Sequence, residues 1–435
     1  MFDLSGIEEK MLPYVGILQS VLGIIDTTNY EYGALFNEIN VHTGGIGTSL
    51  ELYADVTKVK EKEFRAAFEM KGKALYPKMD VLFSMMREIL MESKLDDEKR
   101  LKEIIAMLRS RLQMSFLSSG HTTAALRALS YTSPIAKFKD DTDGIGFYEV
   151  VKAIEEDFDG HKAELIRNLK DISRKIFRTA NLMISYTSAE QGLEPMQSAF
   201  RAVKDSFNRG AEDEGPLNTG GHSDTGLHAA EKSAETACVI HCRKRNEGFK
   251  TSSKVQYVAR AGNFIDGGAE YTGALQILKV ILSYDYLWQN VRVKGGAYGC
   301  MSNFNRIGEG YMMSYRDPNL EKTMEIYEGV VDYLENFNVD DRDMNKFIIG
   351  TISNMDRPMN PAAKGSRSMN LYMNHVTEEM IKEEREQILT AGQNDIRALS
   401  KVLRAMLGAG QICVIGSEEK IEECREMFGE VRTLS

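Results

Sequence analysis

Cysteine is scarce in this 435-residue chain, with only Cys238, Cys242, Cys300, Cys413 and Cys424. So few thiols, and an odd number of them, exclude a disulfide framework and point to a reducing compartment. Long apolar runs are also missing. The most apolar stretch, Met11 to Ile25, is about 15 residues and is interrupted by Pro13, Gln19 and Ser20, short of a bilayer span. Positive charge is in deficit, with 54 Lys and Arg against 64 Asp and Glu for a net charge of −10. A nucleic-acid surface would work against that overall field. Neither a membrane nor nucleic acid is therefore expected as a partner. The opening MFDLSGIEEK carries acids where a secretory signal carries Lys or Arg, so a cytoplasmic location is expected. Several chemical signatures are absent as well: HxxEH, GxSxG, paired CxxC and GxxxxGK[ST] do not occur, and GGAYG lacks the GxGxxG spacing. Hydrolysis by this chain alone lacks a nucleophile or a metal, and nucleotide binding has no support.

What is present describes an ordinary globular chain. Apolar residues make up 43% and charged residues 27%, and the length predicts two to four domains. A helix is predicted over Gly6–Leu22, with Ser5 and Glu8 in capping-box spacing and Leu12, Val15, Leu18, Val21 and Leu22 on one face. A second helix, Tyr30 to Asn40, leads through Thr43-Gly44-Gly45 into alternating residues from Ile46 to Val56, a half-buried strand. From Asp96 to Tyr131 helical spacing persists but breaks near Ser118-Ser119-Gly120, giving two helices. A helix near Tyr148–Phe158 and a short strand Leu182–Tyr186 follow. Arg209 to Gly226 (RGAEDEGPLNTGGHSDTG) shows no periodicity and marks a boundary. Beyond it, strands are predicted over Lys254–Arg260, Gly299–Phe304, Gly310–Tyr315 and Gln411–Ile415. Helices are predicted over Tyr271–Tyr284, Leu320–Phe337, Met344–Ile352 and Glu418–Phe428, the last capped by Ser417.

Part of the chain repeats. Leu35-Phe36-Asn37-Glu38-Ile39-Asn40-Val41 followed by Gly44-Gly45 resembles Leu287-Trp288-Gln289-Asn290-Val291-Arg292-Val293 followed by Gly295-Gly296. Each block follows an apolar helix and precedes a strand, and so large a spacing implies a duplicated domain. The copies differ where chemistry is expected: Arg292 and Tyr298 of the second copy face Asn40 and either Ile46 or Gly47 in the first. Gly295 and Gly296 permit positive φ and close backbone approach, so a helix can end there and feed a strand bearing a phenol. Arg292 and Tyr298 are strong donors suited to a carbonyl oxygen on which negative charge builds. A capping arginine and a core tyrosine would give the same pattern.

His222, Asp224, His228, Glu231, Cys238, His241 and Cys242 form a possible metal-ligand cluster. Its spacing fits no zinc template. His228-Ala229-Ala230-Glu231-Lys232 approaches the inverted HxxEH signature, but Lys232 stands where a second histidine would ligate.

Five segments carry a family resemblance: Phe2–Asp26 (FDLSGIEEKMLPYVGILQSVLGIID), Asn40–Gly45 (NVHTGG), Gln256–Asn263 (QYVARAGN), Leu287–Gly299 (LWQNVRVKGGAYG) and Ile349–Gly365 (IGTISNMDRPMNPAAKG). Together they resemble the C-terminal half of the presequence-protease-like branch of the insulinase/pitrilysin zinc metallopeptidases. The resemblance implies an α+β fold of two homologous insulinase-type α/β-roll domains, each an antiparallel-rich sheet packed against helices. It places a third family domain over 1–208, a Gly-rich linker over 209–230 and a fourth domain over 231–435. The start at Phe2 would fall inside the third domain and leave a sheet edge short of strands. The resemblance also implies that Arg292 and Tyr298, with Gly295 and Gly296, bind substrate backbone and stabilise the tetrahedral intermediate. The zinc, two histidines and two glutamates would lie in an HxxEH-bearing N-terminal half that is this chain's partner, and unstructured peptides would be the substrates. No metal is expected on Arg292 or Tyr298. Without the zinc half the chain is expected to be inactive; the alternative is a catalytically silent peptide-binding or scaffold subunit.

Overall fold

The computed structural model describes residues 1–208 and 240–434. The 209–230 linker, with His222 and His228, and also Cys238 lie outside the described residues. Two compact units emerge. The first collects 1–53, 64–109 and, among the described residues, 149–208; the second collects Ala54–Glu63, Ser110–Tyr148 and 240–434.

In the first unit, β1 (Phe2–Asp3), β2 (Ile46–Ala54) and β3 (Phe64–Gly72) form a sheet of order β1-β3-β2. Phe2 and Phe68 are buried beside Phe177, each with ring centroids 5.2 Å from it. The first helix is shorter than its periodicity suggests. It runs Leu12–Val21 after a 3-10 turn at Glu9–Met11, because Pro13 fits only the first turn of an α-helix. The Ser5–Glu8 capping box is not formed; the Ser5 N–H bonds instead to Asp3 Oδ1 at 2.6 Å. The strand expected over Leu182–Tyr186 reduces to a single bridge from Leu182 to Phe2, since β1 offers only two residues to pair with.

The second unit carries β4 (Glu247–Thr251), β5 (Tyr257–Asn263), β6 (Gly299–Phe304), β7 (Glu309–Tyr315), β8 (Gln411–Ser417) and β9 (Glu430–Thr433) in the order β6-β7-β5-β8-β4-β9. Pairings among β6, β7, β5 and β8 are antiparallel, and those of β4 with β8 and β9 are parallel. The order β1-β3-β2 thus recurs as β5-β7-β6, each time with a helix between the first and second strands in sequence. Helix Ala274–Tyr284 buries seven side chains, from Ala274 to Leu282, in the core that also takes Val258 and Met312 from the sheet.

Residues 110–148 belong to this second unit through buried polar anchors. The long helix Glu98–Leu129 bends at Ser119, whose φ of −128° and ψ of 25° leave the helical region, where Ser118-Ser119-Gly120 predicted a break. Gly120 lets the helix approach Tyr257: a Cβ there would lie 2.3 Å from the Tyr257 ring. Farther along, Arg127 Nε and Nη2 donate to the two carboxylate oxygens of Glu247 at 2.6 and 2.9 Å, and its Nη1 donates to Asp140. Tyr131 Oη also donates to Glu247, at 3.1 Å. Burial opposes ionisation of Glu247, yet Arg127, Tyr131 and Arg245 together hold its carboxyl below the usual range.

Candidate functional site

Arg292 sits in the last turn of a wide helix, Trp288–Val293, that follows Ala274–Tyr284. Its hydrogen bonds skip further than α-helical ones: the Lys294 N–H reaches Gln289 O at 3.0 Å and the Ala297 N–H reaches Val291 O at 3.1 Å. Such π-turns recur at functional sites because they displace one side chain from the regular helical row. Trp288, the single tryptophan of the chain, lies beneath the arginine, with the guanidinium carbon 4.0 Å from the ring centroid. A cation held on an indole face keeps its N–H edges available for an acceptor.

The two glycines are required for different reasons. Gly296 has φ of +82°, the left-handed conformation that ends the helix, and its N–H bonds to Arg292 O at 2.9 Å. Gly295 has no such φ, but a Cβ on it would lie 2.4 Å from Val291 O and 2.9 Å from Asn290 O. The Gly295 carbonyl accepts from Asn319 Nδ2 at 2.6 Å. Asn319 is fixed in turn, because its N–H donates to the buried Asp317 at 2.9 Å.

Tyr298 stands at the entrance to β6 and is 68% exposed. Its N–H is shared between Tyr315 O at 3.0 Å and Arg316 O at 3.3 Å, so its backbone is pinned to the end of β7 while the phenol faces solvent. The ring packs edge-on against Tyr315 at 5.9 Å. Tyr315 is gripped from behind by His121, edge-on at 4.7 Å, and lies 5.8 Å from Tyr257. His121 Nδ1 is buried with no hydrogen-bond partner among the described residues, and burial lowers the imidazole pKa. Arg316, with φ of +49°, places its guanidinium 5.4 Å from the Tyr315 ring. The thiol of Cys300, two residues beyond Tyr298, has its pKa pushed up to about 11 by burial, with Arg292 pulling the other way.

The structure therefore gathers all four sequence-predicted residues into one helix–turn–strand junction: Arg292 rests on Trp288, Tyr298 rests on Tyr315, and the diglycine joins them. Both donors are accessible rather than packed into the core, so the capping-arginine and core-tyrosine alternative is not what the chain adopts. Trp288, Tyr315 and His121 were not anticipated. Trp288 had a local signal, four residues before Arg292 on a helix; the ring contacts of Tyr315 and His121 had none.

The metal-ligand cluster does not take shape among the described residues. No group of three or more His, Cys, Asp or Glu side chains there is placed to hold an ion. His241 and Cys242 lie in an extended segment before β4, outside any strand.

Comparison with known proteins gives the family. The family described as associated with M16 peptidases of subfamily C matches residues 1–154, and that described as "PreP C-terminal domain" matches 246–418. The chain belongs to the presequence-protease-like branch of the insulinase/pitrilysin family, as a C-terminal half. It is 34% identical over 433 residues to Protein HypA of Clostridium perfringens, covering 100% of this chain and 42% of that protein. It is 28% identical to Presequence protease 1, chloroplastic/mitochondrial, of Arabidopsis thaliana, covering 99% of this chain and 38% of that one. It thus spans about two fifths of the length of these curated relatives. Among solved structures, a protease from Helicobacter pylori aligns with a TM-score of 0.56 at 12% identity over 93% of this chain and 89% of that one. Pitrilysin aligns with a TM-score of 0.56 at 10% identity over 94% of this chain and 39% of that one. Those structural likenesses establish the fold: mixed helix and sheet, with the sheets antiparallel-rich. No helix among the described residues is long and apolar enough to cross a membrane.

Proposed function

We propose that this chain is the non-zinc half of a zinc-dependent endopeptidase that degrades unstructured peptides inside a closed chamber. On this reading 1–208 and 231–435 are the third and fourth domains, joined by 209–230, and an HxxEH-bearing N-terminal half is the partner. Zinc held by that half would polarise the scissile carbonyl and lower the pKa of its water, chemistry that no group of described residues here can supply. This chain's contribution is positional. The Arg292 guanidinium, flat on Trp288, holds a backbone carbonyl of an extended peptide. The Tyr298 hydroxyl donates a hydrogen bond to the carbonyl oxygen as negative charge builds on it, an interaction stronger in the transition state than in the ground state. Gly295 and Gly296 let the peptide backbone come close to the junction.

The observation that carries this reading is the exposure of both donors on a rigidly braced turn, with their apolar faces supported and their polar edges unburied. The test supplies the HxxEH-bearing half, fused or as a separate chain, and follows cleavage of an unstructured peptide. Tyr298→Phe and Arg292→Ala are each expected to lower kcat by about 10²–10³, as loss of one oxyanion donor does. Undiminished turnover in both variants would remove the assigned roles and favour a scaffold subunit.

A further inference from the structure

The chain is net acidic, yet one hollow in its second unit is lined by four cations, Arg357, Lys364, Arg367 and Arg385, against the single carboxylate of Asp356. It has a volume of about 550 Å³ and lies where helix Asp341–Met355 gives way to helices Pro361–Met373 and Glu378–Thr390. The lone carboxylate is already committed. Arg385 Nη1 and Nη2 each donate to one Asp356 oxygen at 2.7 Å, and this fork holds the carboxyl below its usual range. Arg357 Nη2 bonds only to the neutral side chain of Asn354, at 2.7 Å. Lys364 and Arg367 have no ion pair among the described residues.

These cations stand close together by construction. Lys364 and Arg367 are three residues apart on one helix face, an arrangement of like charges that costs helix stability. The loop before them is stiff: Pro358 and Pro361 fix φ, and the Asn360 side chain caps the helix through the Ala363 N–H at 2.9 Å. A preorganised cluster of mutually repelling cations is relieved by an anion. Met359 and Ile381 also line the hollow, so the anion it suits is one carried on an apolar neighbourhood. A bare inorganic ion would leave those side chains unused, and a cationic ligand is excluded by charge.

We propose that this hollow binds a carboxylate of an extended peptide, either an acidic side chain or the C-terminal carboxylate, flanked by an apolar residue. The proposal rests on reading the chain as part of a peptide-degrading enzyme and adds a substrate preference to it.

Fluorescence anisotropy on the 435-residue chain tests it without the zinc half. Four versions of one labelled apolar peptide separate the sources: C-terminal carboxylate or amide, each with an internal Glu or Gln. Neutralising the recognised carboxylate is expected to weaken binding about tenfold, the effect of one or two exposed charge contacts. Lys364→Ala with Arg367→Ala should abolish that difference. Lys346→Ala with Arg404→Ala, which removes the same charge elsewhere on the surface, should preserve it. Equal affinity for all four peptides, or a difference that survives in the Lys364/Arg367 variant, overturns the proposal. All four substituted positions are exposed, so folding is retained. Binding needs no turnover, so failure here leaves the roles of Arg292 and Tyr298 standing, and their failure leaves this site testable.

Discussion

The two copies of the helix–diglycine–strand segment keep the same architecture and differ in what they present. Leu35 and Ile39 are buried in the first copy as Leu287 and Val291 are in the second, while Phe36 and Val41 are exposed as Trp288 and Val293 are. The closing glycine is left-handed in both, with φ of +107° at Gly45 and +82° at Gly296. The sheet order around them is the same. Yet the position of Arg292 holds Asn40, and no phenol stands where Tyr298 does. Burial and backbone were kept because each copy must still end a helix and start a strand. The exposed donors were under no such constraint, so a difference confined to them points to chemistry rather than to stability.

The largest expected effect breaks the symmetry directly. With the zinc half supplied, Tyr298→Phe should cost about 10²–10³ in kcat, whereas Asn40→Ala in the first copy should leave turnover unchanged. Comparable losses in both would mean that the copies share a structural role. Next come the glycines. Gly296→Ala and Gly45→Ala should each cost about 1–2 kcal/mol of stability, read from urea midpoints, because both force an L-residue into the left-handed region. Gly295→Ala and Gly44→Ala should diverge. The added methyl at Gly295 meets backbone oxygens, while at Gly44 it meets the Lys73 side chain, 2.5 Å away at Cε, which can swing aside. Gly295→Ala should therefore lower both stability and activity, and Gly44→Ala neither.

The same contrast explains what the sequence could and could not reveal. Strands β6 and β7 were legible almost to the residue, since alternation and a turn bounded them. The Arg292–Tyr298 junction was legible because glycines and unusual donors sit within eight residues. Strand β3 was not: Ala66, Ala67 and Phe68 are buried in succession and hide its period of two. Helices Pro361–Met373 and Glu378–Thr390 bury only Met373 and Ile388 respectively, so they lack a readable apolar stripe. Helix Met79–Met91 did carry one, at Met79, Leu82, Met85 and Ile89, and was readable in principle. The braces of the site, His121, Tyr315 and Asn319, reach it through tertiary contacts that no local pattern encodes.

Trp288 offers a sharper and smaller comparison, because its counterpart Phe36 is also an exposed aromatic ring but has no cation above it in its own helix. Trp288→Ala removes a platform worth about 0.5–1 kcal/mol for an exposed cation–π pair, so turnover should fall a few-fold with the Arg292 side chain less ordered. Phe36→Ala should change nothing measurable. If both were silent, the indole would be an accidental neighbour of Arg292.

The smallest effect concerns His121, which braces Tyr315 and through it Tyr298. Burial lowers its pKa from an ordinary value of about 6.5, so the folded state prefers the neutral ring and the unfolded state binds the extra proton. The associated stability is fully present above about pH 6.5 and is lost as pH falls through the folded value. Amide exchange in β6 and β7 should therefore accelerate on acidification from about pH 7 to about pH 5, after correction for the intrinsic chemical rate, while that of β2 and β3 should not follow. His121→Phe keeps an aromatic ring against Tyr315 but cannot titrate, so it should flatten the acid-side loss in β6 and β7 alone. An unchanged pH profile in that variant would show that the brace is steric only, and that the two sheets differ in their rings but not in their response to protons.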